Sequence, residues 1–573
     1  MPKHHNKTAK PLRSQHWLGG ANPRASAERA RLAQLGYNRE DYLGKPVVAI
    51  VNPWNELNAA GAHMRVRAED VKRGVRRAGG FPVELPVMSL AENAIKSTTM
   101  LYRNFLAIEA EELLRFHPVD GAVLLGGCGK TTAGLLMGGI SANLPMILVP
   151  PGPMLPGYES ATTFSGGQIW HHSAPLRAEI SEDAEASFAR TPGTAMDMES
   201  GSTMPLIAEA LGLTLPGASS IPAHDAAHQR MAAMCGHHIV DIIRDDMKPR
   251  DVLTRRSFEN ALFTFAAAGG SSNAIINLMA LARRAGVPLS LAEIDHFARY
   301  IPILADLQPA GHWRMEDFHK AGGSRGLISR LGTFLHAGER AVWGGTLAIR
   351  YADAKVLDDA VIRPLSDPVS RWSGIAVLKG NIAPEGCIIR PLRAEARLMR
   401  HTGPALVFDD EAAMLKALAD PALDVTPDHV LILRYYGPFG GTGMPELADF
   451  PIPAKLANAG VKDMLRITDG RMSGRVAGAC ILHVSPEAYM GGPLAVIRDG
   501  DSISVDLEKR AISLLIEEDE LGRRLDAWSP PPRRHRRGSL RLFASHIRQA
   551  HEGCDFDFFE SDDEDEAAEK VAY

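Results

Sequence analysis

Three short apolar runs, each bounded by glycine or proline, restrict the fold more than any other feature of this chain. They are PVVAIV at 46–51, GAVLL at 121–125 and PMILV at 145–149. Runs this short, continuous rather than alternating, suit strands covered on both faces. Between the first two, Met100, Leu101, Phe105, Leu106, Ile108, Leu113 and Leu114 recur at helical spacing. Strand, helix, strand specifies a parallel sheet. A large N-terminal α/β domain is therefore expected over residues 1–370, with the Ala-, Leu- and Met-rich stretch 206–331 continuing it as helices. After about Arg371 the chain changes character: GIAVLKG, CIIRP, HVLILRYYG and LAVIRDGDSISVDL are separated by Gly, Pro and Asp-Gly turns. That pattern predicts a smaller, mostly β, barrel-like domain over 371–530. Residues 531–573 hold SPPPRRHRRG and then ESDDEDEAAEK, the composition of a linker and a solvated acidic tail.

Composition removes several function classes. Lys and Arg number 63 against 68 Asp and Glu, a net charge of −5, so the basic balance of a nucleic-acid binder is missing. The longest apolar runs fall well short of the roughly 18 residues of a membrane-spanning helix, so no membrane partner is expected. Five cysteines in 573 residues are too few for a disulfide scaffold and odd in number, which points to a reducing compartment, the cytoplasm. The basic N-terminus, MPKHHNKTAKPLRSQHWLGG, lacks the apolar core and cleavage site of a secretory signal.

Three strings could carry chemistry. LLGGCGKTT, from Leu124 to Thr132, follows a predicted strand and approximates a phosphate-binding loop, which makes ATP binding at Gly126–Thr132 a remote alternative. The usual pattern would need Gly at Leu124, and such a loop normally opens its domain. ITDGRMSGRVAG, Ile467 to Gly478, places Ser473 in a glycine-flanked polar turn; alone, such a serine is a turn residue bonding nearby backbone. GPFGGTGMPE, Gly437 to Glu446, is a glycine-rich loop ending in a carboxylate, where close backbone approach to a ligand is possible and Glu446 is a hard oxygen donor suited to Mg²⁺.

Taken in order with LRSQHWLGG, NPWNELN, TTMLYRNFLAIEAEELL, GSSNAIINLMALARRAGV, GNIAPEGCIIRP, HVSPEAYMGGPLAVIRDGD and EGCDFDFF, these strings resemble the dihydroxy-acid and sugar-acid dehydratases, the IlvD/Edd family, over nearly the whole chain. The likeness is greatest to the branch acting on aldonic acids. It implies removal of water from a 2,3-dihydroxy acid to give a 2-keto-3-deoxy acid, a small-molecule sugar acid as partner, and a homodimer or homotetramer. It also implies two inorganic cofactors: a [2Fe-2S] cluster on three cysteines that binds the departing hydroxyl, and Mg²⁺ on the substrate carboxylate and C2 oxygen. By the same resemblance Ser473 is the base for the C2 proton, Glu92 and Glu446 are magnesium carboxylates, and Lys130 is the lysine that relatives carbamylate, with catalytic and metal roles.

The chain departs from that pattern at defined positions. Gly129 stands where relatives have a further aspartate ligand of Mg²⁺. Of the three cluster positions only Cys128 keeps its thiol; Ala60, in NPWNELNAAGAH, and Ala195, in GTAMDMESGSTM, occupy the other two. Mg²⁺ keeps waters and often takes one or two protein carboxylates, so that site is weakened. An iron-sulfur cluster needs thiolates or the occasional imidazole, so no conventional cluster is expected. Asn58, His63, Asp197 and Glu199 are nearby donors for a harder metal, although isolated polar residues more often serve structure. Cys235, Cys387, Cys480 and Cys554 fall outside the ligand positions and suit buried small apolar roles. Three readings remain open: a hydro-lyase working without the cluster, a non-catalytic or regulatory paralog that binds a sugar acid or an active relative, and the phosphate loop.

Overall fold

A computed structural model describes residues 11–92, 98–157, 189–447, 450–473, 478–532 and 537–559. The chain divides into two compact units. One takes the described residues up to Ser271 together with Ile301–Arg371; the other takes Ser272–Tyr300 and the described residues from Trp372 onward. The acidic stretch that begins at Glu560 lies outside the described residues, as do residues 533–536 of the proline- and arginine-rich segment.

The first unit is built on a four-stranded parallel sheet: β1 (Val47–Asn52), β2 (Phe81–Pro86), β3 (Gly121–Leu125) and β4 (Met146–Val149), in spatial order β2-β1-β3-β4. The three apolar runs become β1, β3 and β4, and every residue in them is buried, as two-sided coverage requires. Strand β2 was not among the predicted strands. Its sequence, FPVELP, has two prolines and a glutamate and is only partly buried, so it lies at the sheet edge, where proline is tolerated and the apolar signal is weak. Helices Met64–Arg77, Thr99–Phe116 and Gly129–Ala142 make the crossovers. The last of these is buried along nearly its whole length, which explains why GKTTAGLLMGGISA, Lys130 apart, is apolar or small on every face.

Chain order β1, β2, β3, β4 against spatial order β2-β1-β3-β4 makes the connections from β1 and β3 leave in opposite directions. In an open α/β sheet the crevice at the carboxyl ends of such strands is where ligands bind. The segment after β1 carries Asn58, Ala60 and His63, the segment after β3 carries Cys128, and that after β2 carries Glu92.

The second unit is a mixed eight-stranded sheet. Its strands are β5 (Ala376–Leu378), β6 (Gly386–Ile389), β7 (Arg400–Phe408), β8 (Val430–Leu433), β10 (Arg466–Thr468), β12 (Cys480–Ser485), β13 (Ser502–Asp506) and β14 (Ala511–Leu514). Spatial order runs β14-β13-β7-β8-β10-β12-β6-β5, and the edges meet where Lys379 accepts from Ile512 N–H at 3.0 Å and donates to Arg510 C=O at 3.0 Å. The sheet thus closes on itself, and an apolar core including Ile389, Val430, Ile432, Ile467, Ile481 and Ile503 fills it. Two further two-residue strands, β9 (Glu446–Leu447) and β11 (Arg471–Met472), pair with each other in parallel. No helix among the described residues is long and apolar enough to cross a membrane.

Candidate active site

The expected site residues divide between the two units. In the first, Cys128 is the N-cap of the helix Gly129–Ala142. Its thiol donates to Leu90 C=O at 2.9 Å, and the same carbonyl accepts from Thr131 Oγ1 at 3.1 Å and from Asn58 Nδ2 at 3.3 Å. Asn58 Oδ1 in turn accepts the Ala60 N–H at 3.1 Å. The Gly193 N–H donates to Ala59 C=O at 3.1 Å, and Ser202 Oγ donates to Ala195 C=O at 3.2 Å. A Cβ on Gly129 would stand 2.8 Å from Ser200 Cβ and Oγ, so glycine is what lets the helix start approach the segment that follows Ala195. The three family cluster positions, Ala60, Cys128 and Ala195, therefore belong to one bonded neighbourhood, although far apart in sequence.

A [2Fe-2S] cluster does not fit that neighbourhood. Methyl groups at two of the three positions offer no donor, and the other thiols are spent elsewhere. Cys235 Sγ faces Leu148 C=O and Met231, Cys387 faces Leu378 C=O, Cys554 lies against Met444, and Cys480 is buried on β12. Burial pushes the Cys235 and Cys387 thiols well above the ordinary range. His63, one of the candidate replacement donors, engages Pro151 C=O through Nε2 at 2.7 Å, and burial holds its pKa down to about 4, so the ring is neutral; its buried Nδ1 has no hydrogen-bond partner among the described residues. Asn58 is committed to Ser89, Leu90 and Ala60. Glu199 is the N-cap residue of the helix Ser200–Ala210, and Asp197 is buried just before it. Among the described residues no three His, Cys, Asp or Glu side chains converge as a metal cage.

Glu92 and Lys130 form an ion pair at 2.8 Å, the lysine side chain 5% exposed and the glutamate 28%. Glu92 also accepts from Thr98 Oγ1 at 3.1 Å, from the Thr99 N–H at 3.4 Å and from the Thr99 hydroxyl. This arrangement redirects the phosphate-loop string. Only Gly126, Gly127 and Cys128 separate β3 from its helix, the lysine is turned onto a carboxylate, and the Thr132 hydroxyl closes back on Gly127 C=O at 3.1 Å. Lys130 and Thr131, the lysine and hydroxyl residue of such a loop, are committed to protein partners, Glu92 and Leu90 C=O. An oxygen-donor cation fits the pair in kind: carbamylation would turn the Lys130 ammonium into an anionic oxygen donor beside Glu92.

In the second unit, Glu446 lies opposite Arg471 in the β9–β11 pairing, and the Ser473 N–H donates to Leu447 C=O at 3.0 Å. Ser473 therefore directly follows the β9–β11 pairing, two residues past the partner of Glu446. The Arg471 guanidinium, wholly buried, reaches Glu446 Oε2 at 2.8 Å and donates through Nε to Met444 C=O at 2.8 Å. Arg471 was not among the residues singled out from sequence, although it sits inside TDGRMSG; its signal was its place two residues before Ser473. The glycine-rich loop is held from behind by two buried carboxylates. Glu487 accepts the Phe439 and Gly440 N–H groups, each at 2.9 Å, and Asp469 accepts those of Tyr435 and Tyr436 at 3.1 and 2.8 Å. Gly437 allows this, since a Cβ there would meet Glu487 Oε2 at 2.4 Å.

The N- and C-terminal family models of the dihydroxy-acid/6-phosphogluconate dehydratases match residues 45–350 and 360–554. The chain belongs to that dehydratase family. Among relatives, this dehydratase is 47% identical to the 6-deoxy-6-sulfo-D-gluconate dehydratase of Pseudomonas putida over 570 residues, 98% of each chain. It is 41% identical over 555 residues to the L-arabinonate dehydratase of Rhizobium leguminosarum bv. trifolii (strain WSM2304), 96% of each chain. A dihydroxy-acid dehydratase of Roseiflexus sp. (strain RS-1) is 36% identical over 540 residues, 92% of this chain and 95% of that one. As a dehydratase the protein is a carbon-oxygen lyase.

Proposed function

We propose that this dehydratase converts a sugar acid into its 2-keto-3-deoxy acid without the [2Fe-2S] cluster of its family. The sugar-acid class rests on the sulfogluconate and arabinonate dehydratases among its relatives. The cluster-free reading rests on Ala60 and Ala195 sharing one hydrogen-bonded neighbourhood with Cys128. In this reading the Ser473 alkoxide takes the C2 proton and the same proton is returned to the C3 hydroxyl, which departs as water and regenerates the alkoxide, and the resulting enol tautomerises to the ketone. Glu92, Glu446 and carbamylated Lys130 would hold Mg²⁺, which when bound supplies Lewis-acid polarisation of the substrate carboxylate and C2 oxygen. Until Lys130 is carbamylated, its ammonium neutralises Glu92. Five free thiols support a reducing, cytoplasmic setting, and the family resemblance supports a homodimer or homotetramer.

The loss of two thiols also favours a second reading, a paralog that binds a sugar acid, or an active relative, without turnover. One experiment separates the two: a panel of aldonic acids, 6-sulfogluconate included, assayed for 2-keto-acid release with Mg²⁺ or Mn²⁺ present, alongside iron and acid-labile sulfide analysis of anaerobically purified protein. Metal-dependent release that disappears in Ser473→Ala, with iron far below stoichiometric, is the expected result. Saturable sugar-acid binding with no keto-acid release supports the paralog. Stoichiometric iron and sulfide overturn the cluster-free assignment.

A further inference from the structure

In the second unit, residues 547–556 fold back on themselves beside the glycine-rich loop. Ile547 and Phe556 bridge antiparallel, the Arg548 N–H donates to Asp555 C=O at 2.9 Å, and the Cys554 N–H donates to Gln549 C=O at 3.2 Å, so Gln549 and Cys554 sit together at the tip. The base is fixed to the helix Asn273–Arg284. Arg284 and Asp555, both buried, bond at two points, Nε to Oδ2 at 2.6 Å and Nη2 to Oδ1 at 3.0 Å. Gly553, at φ 91°, approaches the same helix so closely that a Cβ would stand 2.6 Å from the Ala280 backbone nitrogen. The turn-back is therefore anchored, not draped.

Two contacts lead from the tip to the loop. Gln549 and Glu487 are joined twice: Gln549 Nε2 donates to Glu487 Oε1, and Gln549 Oε1 accepts the Glu487 N–H, each at 2.9 Å. Glu487 in turn accepts the Phe439 N–H on Oε1 and the Gly440 N–H on Oε2. The Cys554 thiol donates to Met444 Sδ at 3.9 Å, and Met444 C=O is the acceptor of Arg471 Nε. The loop between these contacts carries Gly440, Gly441 and Gly443, so its own sequence gives it little preference for one conformation. Its shape has to come from outside. Glu487 is 1% exposed, and its carboxylate is met by the Phe439 and Gly440 N–H groups and the Gln549 amide. A buried carboxylate keeps its charge and its aim through such donors. Of these three, the Gln549 amide is the donor that does not belong to the loop, and its second bond, to the Glu487 N–H, fixes the backbone from which the carboxylate projects.

We propose that Gln549 is a positioning residue of the candidate active site: acting through Glu487, it holds the glycine-rich loop in the one conformation that sets Glu446 in place. Gln549 touches neither substrate nor metal in this account. It acts from the far side of Glu487, while Cys554 and Arg471 hold the loop again at Met444, two residues before Glu446. The metal role of Glu446 rests on the proposed function; the hold of Gln549 on the loop does not.

The test compares full-length wild type with Gln549→Met, which keeps the length of the side chain and loses both of its bonds to Glu487. Hydrogen–deuterium exchange read by mass spectrometry follows a peptide spanning residues 437–446 against one spanning β13 and β14 in the same unit. Exchange at 437–446 about tenfold faster in the variant, with the β13–β14 peptide unchanged, is expected. Mn²⁺, which takes the same oxygen donors as Mg²⁺, is then titrated by electron paramagnetic resonance, and the variant is expected to bind it several-fold more weakly. Unchanged exchange at 437–446 overturns the proposal. Equal acceleration in both peptides, or loss of the folded state, overturns it as well, because Gln549 would then serve general stability. A loosened loop with undiminished Mn²⁺ affinity overturns the link from Gln549 to Glu446. Wild type that binds no Mn²⁺ counts against the metal reading alone, and the exchange comparison then decides whether Gln549 holds the loop.

Discussion

Arg471 is buried completely and survives there because its charge is met from two directions, by the Glu446 carboxylate and by Met444 C=O. Replacing it with methionine leaves Glu446, 17% exposed, without its cation. Removing one partner of a buried pair costs about 3–5 kcal/mol, and the partial exposure of Glu446 places the expected loss toward the lower end. Arg471→Lys should recover only part of it, since an ammonium cannot reproduce the two-point fork. Urea denaturation of the three proteins checks the order wild type, Arg471→Lys, Arg471→Met; equal midpoints would exclude the account. The same contact shows where sequence reading stops. Glu92, Lys130, Cys128, Glu446 and Ser473 could each be singled out as candidates because a contiguous string surrounds them. The Arg471–Glu446 pair spans 25 residues and exists only through the register of two strands of two residues each, which no local pattern encodes.

At the scale of elements, legibility followed burial. β1, β3 and β4 are covered on both faces and read as unbroken apolar runs, whereas β2 at the edge carries prolines and glutamate and gives no such run. Helix contacts show a related limit, since a glycine in a helix reads as a weakness until its neighbour is seen. Gly74, in the helix Met64–Arg77, packs against the helix Ala226–Arg244 so closely that a Cβ would lie 1.9 Å from Ala233 C=O. Alanine gains about 1 kcal/mol of helix propensity there, but the neighbour is helix backbone and cannot yield without separating the pair. Overpacking of that kind costs about 1–3 kcal/mol or more, so Gly74→Ala should destabilise. Gly522, in the helix Glu518–Asp526, has nothing within 4 Å of the same hypothetical atom, so Gly522→Ala should stabilise by about 0.5–1 kcal/mol. Opposite shifts in denaturation midpoint are the expected readout; shifts of the same sign would show that close approach is not what fixes Gly74.

For the molecule as a whole, the buried titratable groups act in two opposed directions. Burial holds His63 at about 4; burial, aided by neighbouring charge, holds His228 and His483 at about 3. In the unfolded chain these rings take protons below about pH 6.5. The unfolded state then carries more protons than the folded one, so each ring lowers stability as pH falls from 6.5 toward its folded value. Asp469 and Glu487 do the reverse. Burial raises them to about 6 and about 7, Glu487 also feeling Asp469, so the folded state holds the extra protons and stability is lost as pH rises through that window. Among the described residues the rings held down outnumber the carboxylates held up, since burial also lowers His117, His224, His238, His319 and His551 and raises only Asp120 besides the two named, so unfolding takes up protons near pH 5 and the folded state is favoured as pH rises. Stability should therefore fall on acidification below about pH 6, and the two single-residue variants should change that slope in opposite senses. His483→Asn keeps a residue that tolerates the left-handed backbone at φ 59° and removes one ring, so it should flatten the acid limb. Glu487→Gln removes an opposing carboxylate and should steepen it. Denaturation midpoints of the three proteins across that range check both signs, and parallel curves would mean that neither group differs in protonation between the folded and unfolded states.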